Sequence, residues 1–330
     1  MYNKPFLSVL MAVNRDDGSL KQTIESILVQ SYSNFEFLIV NDGKNLSVIK
    51  TLKKIDDIRI KLHNIDKCGL TNALNFGLFN AQGEYIARQD AGDISLQFRF
   101  EKQIDVINKH PDYALIGTSI RNESLSGDFI GNTIFPSSDE DIKSHIAFQN
   151  TFWHGTVIFK KKVSDELNGY REPFKLAQDY DFWLRICEKY PVYNLAEILY
   201  IRTIDKNSIS LKTKNIQAKY GEIARNFYKA RLNNLKEDFS KLHIMDEYYK
   251  NGQVSKQRTN SDYYFYCGRL MLTERNKKNA RKYFIISLKY RPFAVIPIIF
   301  LIFTFIPSNT LDIIERKWKF VQKILEIQLD

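Results

Sequence analysis

The first half of the chain breaks into short apolar runs separated by amphipathic stretches. Phe6-Leu-Ser-Val-Leu-Met-Ala12 is a near-continuous apolar run, the pattern of a strand covered on both faces. Over residues 19–29 the period changes. Leu20, Ile24, Ile27 and Leu28 share one helical face, and Ser19 stands where an N-cap belongs. A second strand is predicted over Phe35–Val40, followed by helix at 46–54, strand at 58–62, helix at 70–80 and a fourth strand over Glu84–Arg88. Such alternation predicts an α/β domain with a largely parallel sheet. Residues 96–210 mix strands and helices, with a turn at Asn168-Gly169 and a helix from about Asp179 to Lys189. From about 211 onward the pattern is helical, and residues 262–274 and 277–290 read as one helical hairpin. The change of period sets an expected boundary near 210, with a domain over 1–210 and a helical extension over 211–330.

In open α/β sheets, ligands bind beyond the carboxyl ends of the strands. Three predicted strand ends carry polar clusters: Asn14 to Asp17, Asn41-Asp42-Gly43, and Asp90-Ala-Gly-Asp93. Their convergence predicts a polar ligand at one edge of the sheet.

Composition narrows the function classes. With 330 residues, 44% of them hydrophobic, the chain can bury a full core, so disorder is excluded. Cys68, Cys187 and Cys267 are odd in number and far apart. They make neither a zinc-binding CxxC pair nor a disulfide framework, which suits a reducing cytoplasm. The N-terminus lacks the apolar stretch and cleavage site expected of a signal peptide. No GxGxxG follows the first strand and no GxxxxGK[ST] occurs, which argues against a nicotinamide dehydrogenase or a phosphate-loop enzyme. The net charge of +10 is unevenly placed: residues 1–210 hold 25 basic and 27 acidic side chains, residues 211–330 hold 23 and 11. Neither zinc-finger spacing nor an RNP-like aromatic pattern nor basic-zipper heptads accompany that charge, so nucleic acid is not the expected partner.

Leu7-Ser-Val-Leu-Met-Ala-Val13, Ser26-Ile-Leu-Val-Gln-Ser-Tyr32, Phe35-Glu-Phe-Leu-Ile-Val-Asn-Asp-Gly43 and Gly83-Glu-Tyr-Ile-Ala-Arg-Gln-Asp-Ala-Gly-Asp93 together resemble the family 2 glycosyltransferases. His154-Gly-Thr-Val-Ile-Phe, Asn168-Gly-Tyr-Arg171, Gln178-Asp-Tyr-Asp-Phe-Trp-Leu-Arg185 and Ser208-Ile-Ser210 continue the resemblance in order, so that it covers roughly residues 6–210. It implies a GT-A nucleotide-sugar-binding fold, a Rossmann-like mixed sheet, here followed by the helical extension. It also implies an inverting transfer of sugar from a nucleotide-sugar, typically a UDP-sugar. The acceptor would be a glycan or lipid-linked glycan of cell-surface polysaccharide synthesis.

Displacement at an anomeric carbon needs a base for the acceptor proton and stabilisation of the departing diphosphate. By the resemblance Asp179 is that base, and Asp181 beside it is a hydrogen-bonding support. An N-cap aspartate is the plainer reading of Asp179. Asp42 matches the residue that binds the nucleotide base, though an aspartate before Gly43 is also an ordinary turn residue. Ala12 and Val13 match the first strand end, where backbone groups face the base. Asp17 matches an acidic position that helps hold the nucleoside and reads equally as a surface loop. Asp90 is expected to reach the ribose. His154 and Trp183 fall on the acceptor side. His154 suits either the catalytic centre or a structural role, and a tryptophan at helical spacing is more often core.

The family pattern Asp-Ala-Asp-Asp becomes Asp90-Ala91-Gly92-Asp93, so the usual ligand of the divalent cation (Mn²⁺ or Mg²⁺) is a glycine. Asp93 is the expected substitute ligand, and lysine or arginine side chains are the alternative partner of the diphosphate. A non-catalytic relative that binds nucleotide-sugar or glycan is the competing reading this departure motivates, and the retained Asp179 argues against it.

Arg275, Lys277, Lys278, Arg281, Lys282, Lys289 and Arg291 run without an intervening acid into Pro292-Phe-Ala-Val-Ile-Pro-Ile-Ile-Phe-Leu-Ile-Phe-Thr-Phe-Ile306. A basic run beside an apolar one suits an anionic cytoplasmic leaflet. Pro297 and Pro307 cut the segment short of a span, so the expectation is shallow insertion, peripheral on the inner face of the cell membrane. A buried hairpin packed on the catalytic domain accounts for the same pattern.

Overall fold

Strand β1 (Leu7–Val13) is apolar on both sides because it runs between two strands of one sheet, with helices over each face. The computed structural model describes residues 6–205, 213–251 and 256–307. After α1 (Leu20–Leu28), β2 (Phe35–Asp42) pairs in parallel with β1; after α2 (Leu46–Leu52), β3 (Ile60–Ile65) adds in parallel to β2. α3 (Leu70–Asn80) then returns the chain to β4 (Tyr85–Arg88) on the other side of β1. This part follows the predicted alternation, with two local differences. The β3 strand starts at Ile60 because the Asp57 carboxylate accepts the Arg59 N–H at 2.9 Å and closes a turn before it. Ser19 makes no side-chain cap on α1; its hydroxyl instead donates to Asp17 at 2.6 Å.

Beyond β4 the sheet becomes mixed. The next elements are β5 (Ile94–Ser95), α4 (Arg99–Lys109), β6 (Leu115–Ser124), β7 (Phe129–Thr133), α5 (Asp139–Ile146), a 3₁₀ turn over His154–Thr156 and β8 (Ile158–Lys160). α6 (Lys161–Glu166), α7 (Gln178–Cys187) and β9 (Val192–Ile204) follow. The strand order is β3-β2-β1-β4-β8-β6-β9-β5, with β7 paired to β6. The β8 strand is antiparallel to both β4 and β6, so it is where the parallel half meets the rest.

Helices cover both faces. Leu7, Val9 and Ile39 pack with Ile24, Ile27, Phe100 and Ile104 on one side. Leu10, Leu38 and Phe159 pack with Leu74, Leu78, Ile142, Phe182 and Trp183 on the other. That second core also takes in α8 (Lys214–Leu232) and α9 (Ser240–Asn251), through Tyr220, Ile223, Ala224, Phe227 and Leu242. The Phe174 ring meets Tyr220 at 6.1 Å and Phe227 at 5.9 Å. The first compact unit among the described residues is therefore 6–204 with 213–251. Packing thus continues across the boundary expected near 210, where the period change marks a change of element. The second unit contains Asp205 and 256–307. In it α10 (Lys256–Thr273) and α11 (Lys277–Tyr290) form the expected helical hairpin, and α12 (Val295–Phe303) packs on it.

Candidate active site

The parallel strands β1, β2 and β4 all end at one edge. Because β8 runs antiparallel to β4, with Ala87 opposite Ile158, the turn that leads into β8 lies beside the loop that leaves β4. His154 and Asp90 are thereby neighbours although 64 residues separate them. Gly155 makes the approach possible. A Cβ there would stand 2.1 Å from the Tyr200 hydroxyl and 3.1 Å from Asp90 Oδ2, so no larger residue fits without displacing Tyr200.

Arg88, almost fully buried, organises this edge. Its Nη1 donates to the Leu10 carbonyl, its Nη2 to Asp90 Oδ1 at 2.8 Å and its Nε to His154 Nε2 at 3.0 Å. A guanidinium has no lone pair to offer, so His154 Nε2 must be the acceptor and the ring proton sits on Nδ1. The Tyr170 hydroxyl stands 2.9 Å from the same Nε2, while Nδ1 faces Asp90 Oδ1 at 3.9 Å. Burial, reinforced by the Arg88 charge, pushes the His154 pKa well below its ordinary value. The ring is neutral at pH 7. Burial also raises the Tyr170 phenol, which stays protonated.

Asp179 is the second residue of α7, following Ala177 in left-handed backbone (φ 54°). Its Oδ2 accepts the Asn150 amide at 3.1 Å. Burial pushes its pKa up to about 6; the Tyr180 N–H opposes this, the Asp90 charge adds to it and the Asn150 amide opposes it. A carboxylate with a pKa close to neutrality, half-buried at a helix start, suits general base work. Asp181, two residues on, is fully buried. It accepts Arg185 Nε at 3.0 Å, and Arg185 in turn donates to the carbonyls of Leu167 and Gly169. Its role is to fix the loop that carries Tyr170. Trp183 lies wholly inside the core against Phe159 and Phe182, so the expected place on the acceptor side is closed to it.

On the expected donor side, Ala12 and Val13 end β1, next to Asn41 in β2. Asp42 already accepts the N–H groups of Cys68 (2.7 Å) and Gly69 (3.1 Å), and so ties the end of β2 to the start of α3. Asp17 is exposed and closes its own loop through the Ser19 hydroxyl and N–H. Asp90 is half-buried, with Oδ1 on Arg88. Asp93, the expected cation ligand, points inward: its Oδ1 accepts the Thr203 N–H at 2.9 Å, and burial, reinforced by the Asp90 charge, raises its pKa. Among the described residues no three His, Cys, Asp or Glu side chains gather as a metal cluster. Gly92, at φ +98°, occupies backbone that an aspartate would adopt only under strain, and its N–H donates to Thr23 Oγ1 at 3.0 Å. The glycine belongs to this loop's shape.

A family model, "Glycosyl transferase family 2", matches residues 8–165. The O-antigen biosynthesis glycosyltransferase WbnJ of Escherichia coli is 37% identical over 199 residues, spanning 58% of this chain and 77% of WbnJ. The chain belongs to glycosyl transferase family 2. It is a glycosyltransferase, and its mixed sheet is the GT-A fold of solved relatives. S. aureus TarS with bound UDP superposes with a TM-score of 0.53 at 14% identity, over 87% of this chain and 92% of that one. The mannosyltransferase PcManGT of Pyrobaculum calidifontis, in complex with GDP-Man and Mn²⁺, gives 0.52 at 13% identity, over 88% of each. These two likenesses concern the fold.

Three members of the site were not singled out by the sequence reading. Arg88 sits inside the Glu84–Arg88 strand run, where an arginine reads as a strand-end charge. Asn150 lies four residues before His154 with no pattern of its own. Tyr170 falls inside the Asn168-Gly-Tyr-Arg171 motif with no role assigned, and only folding shows its hydroxyl against His154.

Proposed function

We propose that the protein is an inverting glycosyltransferase in which Asp179 is the base, with a UDP-sugar as donor and a glycan or lipid-linked glycan as acceptor. The observation that carries this reading is the Asp179 carboxylate itself: held by Asn150 at the start of α7, with its pKa pushed up to about 6, and close enough to Asp90 to feel its charge. The acceptor O–H gives its proton to Asp179 as its oxygen bonds to the anomeric carbon. On the opposite face the bond from that carbon to the diphosphate oxygen breaks, and the nucleoside diphosphate leaves with the electron pair. Configuration at the anomeric carbon inverts. Neutral His154 offers a proton on Nδ1 and takes none, so the base role falls to Asp179 alone.

Asp42, at the end of β2 beside Ala12 and Val13, is the proposed partner of the base; its carboxylate holds the N–H groups of Cys68 and Gly69, and a further lone pair would take a pyrimidine N3–H. Asp17 is the outer edge of that nucleoside site. The donor set fits a hard cation bound chiefly through the diphosphate and water, with Asp90 as its protein carboxylate in place of Asp93. When bound, such an ion neutralises charge on the leaving diphosphate. The name of WbnJ, an O-antigen biosynthesis glycosyltransferase, supports a polysaccharide acceptor; the basic and apolar runs over 275–306 support a place at the inner, cytoplasmic face of an anionic membrane.

The test is a panel of nucleotide-sugars with the anomeric configuration of each product read by NMR. UDP-sugar turnover with inverted product is the expected result. Retained configuration, or turnover only with guanosine or cytidine donors, would sink the corresponding part of the proposal.

A further inference from the structure

The second unit carries an apolar surface that its own core does not use. In α12 every residue is apolar, yet only Pro297 is buried. Phe300 turns inward and meets the rings of Phe265 and Phe284 at 5.3 and 6.0 Å. Val295, Ile296, Ile299 and Ile302 face out, flanked by Phe293, 92% exposed, and Phe305, 66% exposed. Contiguous apolar surface of this kind on a soluble unit marks a docking site.

Charge says what docks there. No acidic residue lies between Glu274 and Asp312, and the basic residues from Lys277 onward fall into two sets. Lys277 Nζ donates to the Ile306 carbonyl at 2.6 Å, and Arg281 donates to Thr304 Oγ1 at 3.2 Å while its guanidinium stacks 3.9 Å over Phe305. These two cations hold the end of α12 in place, at the pole of the helix dipole that favours positive charge. Lys278, Lys282 and Lys289 are exposed and lie with Ile285 on the face of α11 opposite its buried Ala280, Phe284 and Ser287. Arg291, also exposed, stands between Lys289 and Phe293.

We propose that α12 and the outward face of α11 dock this protein on an anionic lipid bilayer, with α12 lying shallowly in the interface and Lys278, Lys282, Lys289 and Arg291 on the headgroups. The inference rests on the membrane part of the proposed function and is independent of its chemistry. Nine helical residues reach about 14 Å, roughly half of a hydrocarbon core. Among the described residues no helix is long and apolar enough to cross.

The experiment uses the full chain with phosphatidylcholine vesicles, with and without phosphatidylglycerol. Sedimentation with the anionic vesicles alone is expected. Replacing Lys278, Lys282, Lys289 and Arg291 together by Gln should weaken that binding by on the order of a thousandfold. Phe293→Glu with Ile296→Glu should remove the fraction that resists high salt, since salt screens charge and leaves apolar insertion intact. UDP release in vesicle-free solution should be unchanged in both variants, so a failed donor assay and a failed lipid assay are distinguishable. Full-length protein that stays in the supernatant with both kinds of vesicle would overturn the proposal. So would a solution dimer that Phe293→Glu/Ile296→Glu converts to monomer, because a second copy would then be what covers α12.

Discussion

Asp179 sits where folding and chemistry oppose each other. Burial holds its carboxyl near pKa 6, so at neutral pH the folded protein carries an ionised group that its surroundings disfavour. Asp179→Asn should therefore cut turnover by about a hundredfold or more while leaving nucleotide binding in place. The same substitution should raise stability at pH 7 by about 1–2 kcal/mol, a figure discounted for the partial exposure of the side chain. The folded state binds this proton more tightly than the unfolded chain, so this group's cost fades as pH falls from 6 towards 4. Calorimetry at pH 7 and at pH 4.5 should show the gain at the first and little of it at the second. Turnover should fall on the acid side with an apparent pKa near 6. A profile with its acid limb near 4, or a variant with normal turnover, would take the base role from Asp179.

At the scale of single elements, the loop after β4 decides how a cation can bind. Its glycine is required by the backbone, with φ +98° at Gly92, and its last carboxylate is committed to the Thr203 N–H. Gly92→Asp, which would restore the family's usual ligand on paper, should cost roughly 1–2 kcal/mol in strain and leave metal affinity no better. Asp93→Ala, which strips the Thr203 N–H of its acceptor, should mainly lower the unfolding temperature, whereas Asp90→Asn should weaken donor binding and its response to Mn²⁺. Isothermal titration with UDP and Mn²⁺ separates these outcomes; tighter ion binding in Gly92→Asp would contradict them. What could be read from the sequence divides along the same line. Strand and helix periods gave β1, β2, α3 and β4 nearly in full, since each buries one face or both. Motif order was enough to mark Asp179 and Asp90 as candidates. The direction in which Asp93 points was not, because it depends on a backbone N–H of β9, 110 residues away.

For the molecule as a whole, the two units have different bases for their stability. A chain ended at 210 would leave Phe174 and Tyr180 without the cover of α8. It should be insoluble or aggregate. One ended at 252 should stay folded and keep UDP release in solution, while losing attachment to vesicles. Expression of both, followed by size-exclusion chromatography and a donor assay, tests the division directly. A folded, active chain ended at 210 would favour the boundary near 210. The excess of positive charge in the last third, readable from composition alone, belongs to both units. Its separation into residues that cap α12 and residues that face outward required the coordinates.

Arg88 touches a strand-end carbonyl, the carboxylate of Asp90 and the imidazole that Tyr170 shares, all from one rigid planar group. Whatever occupies Asp90 thus perturbs, through a single cation, the loop on the far side of β8. If donor binds at Asp90 and acceptor beside His154 as proposed, occupancy of the two sites would be one linked equilibrium, and linkage is reciprocal: if donor tightens acceptor by some factor, acceptor must tighten donor by the same factor. Arg88→Lys keeps the charge but loses the fork. Titrating UDP with and without acceptor should give a ratio of affinities clearly different from one in the native protein, moving towards one in the lysine variant. The buried guanidinium would then be the fulcrum on which each substrate prepares the place of the other, whichever binds first.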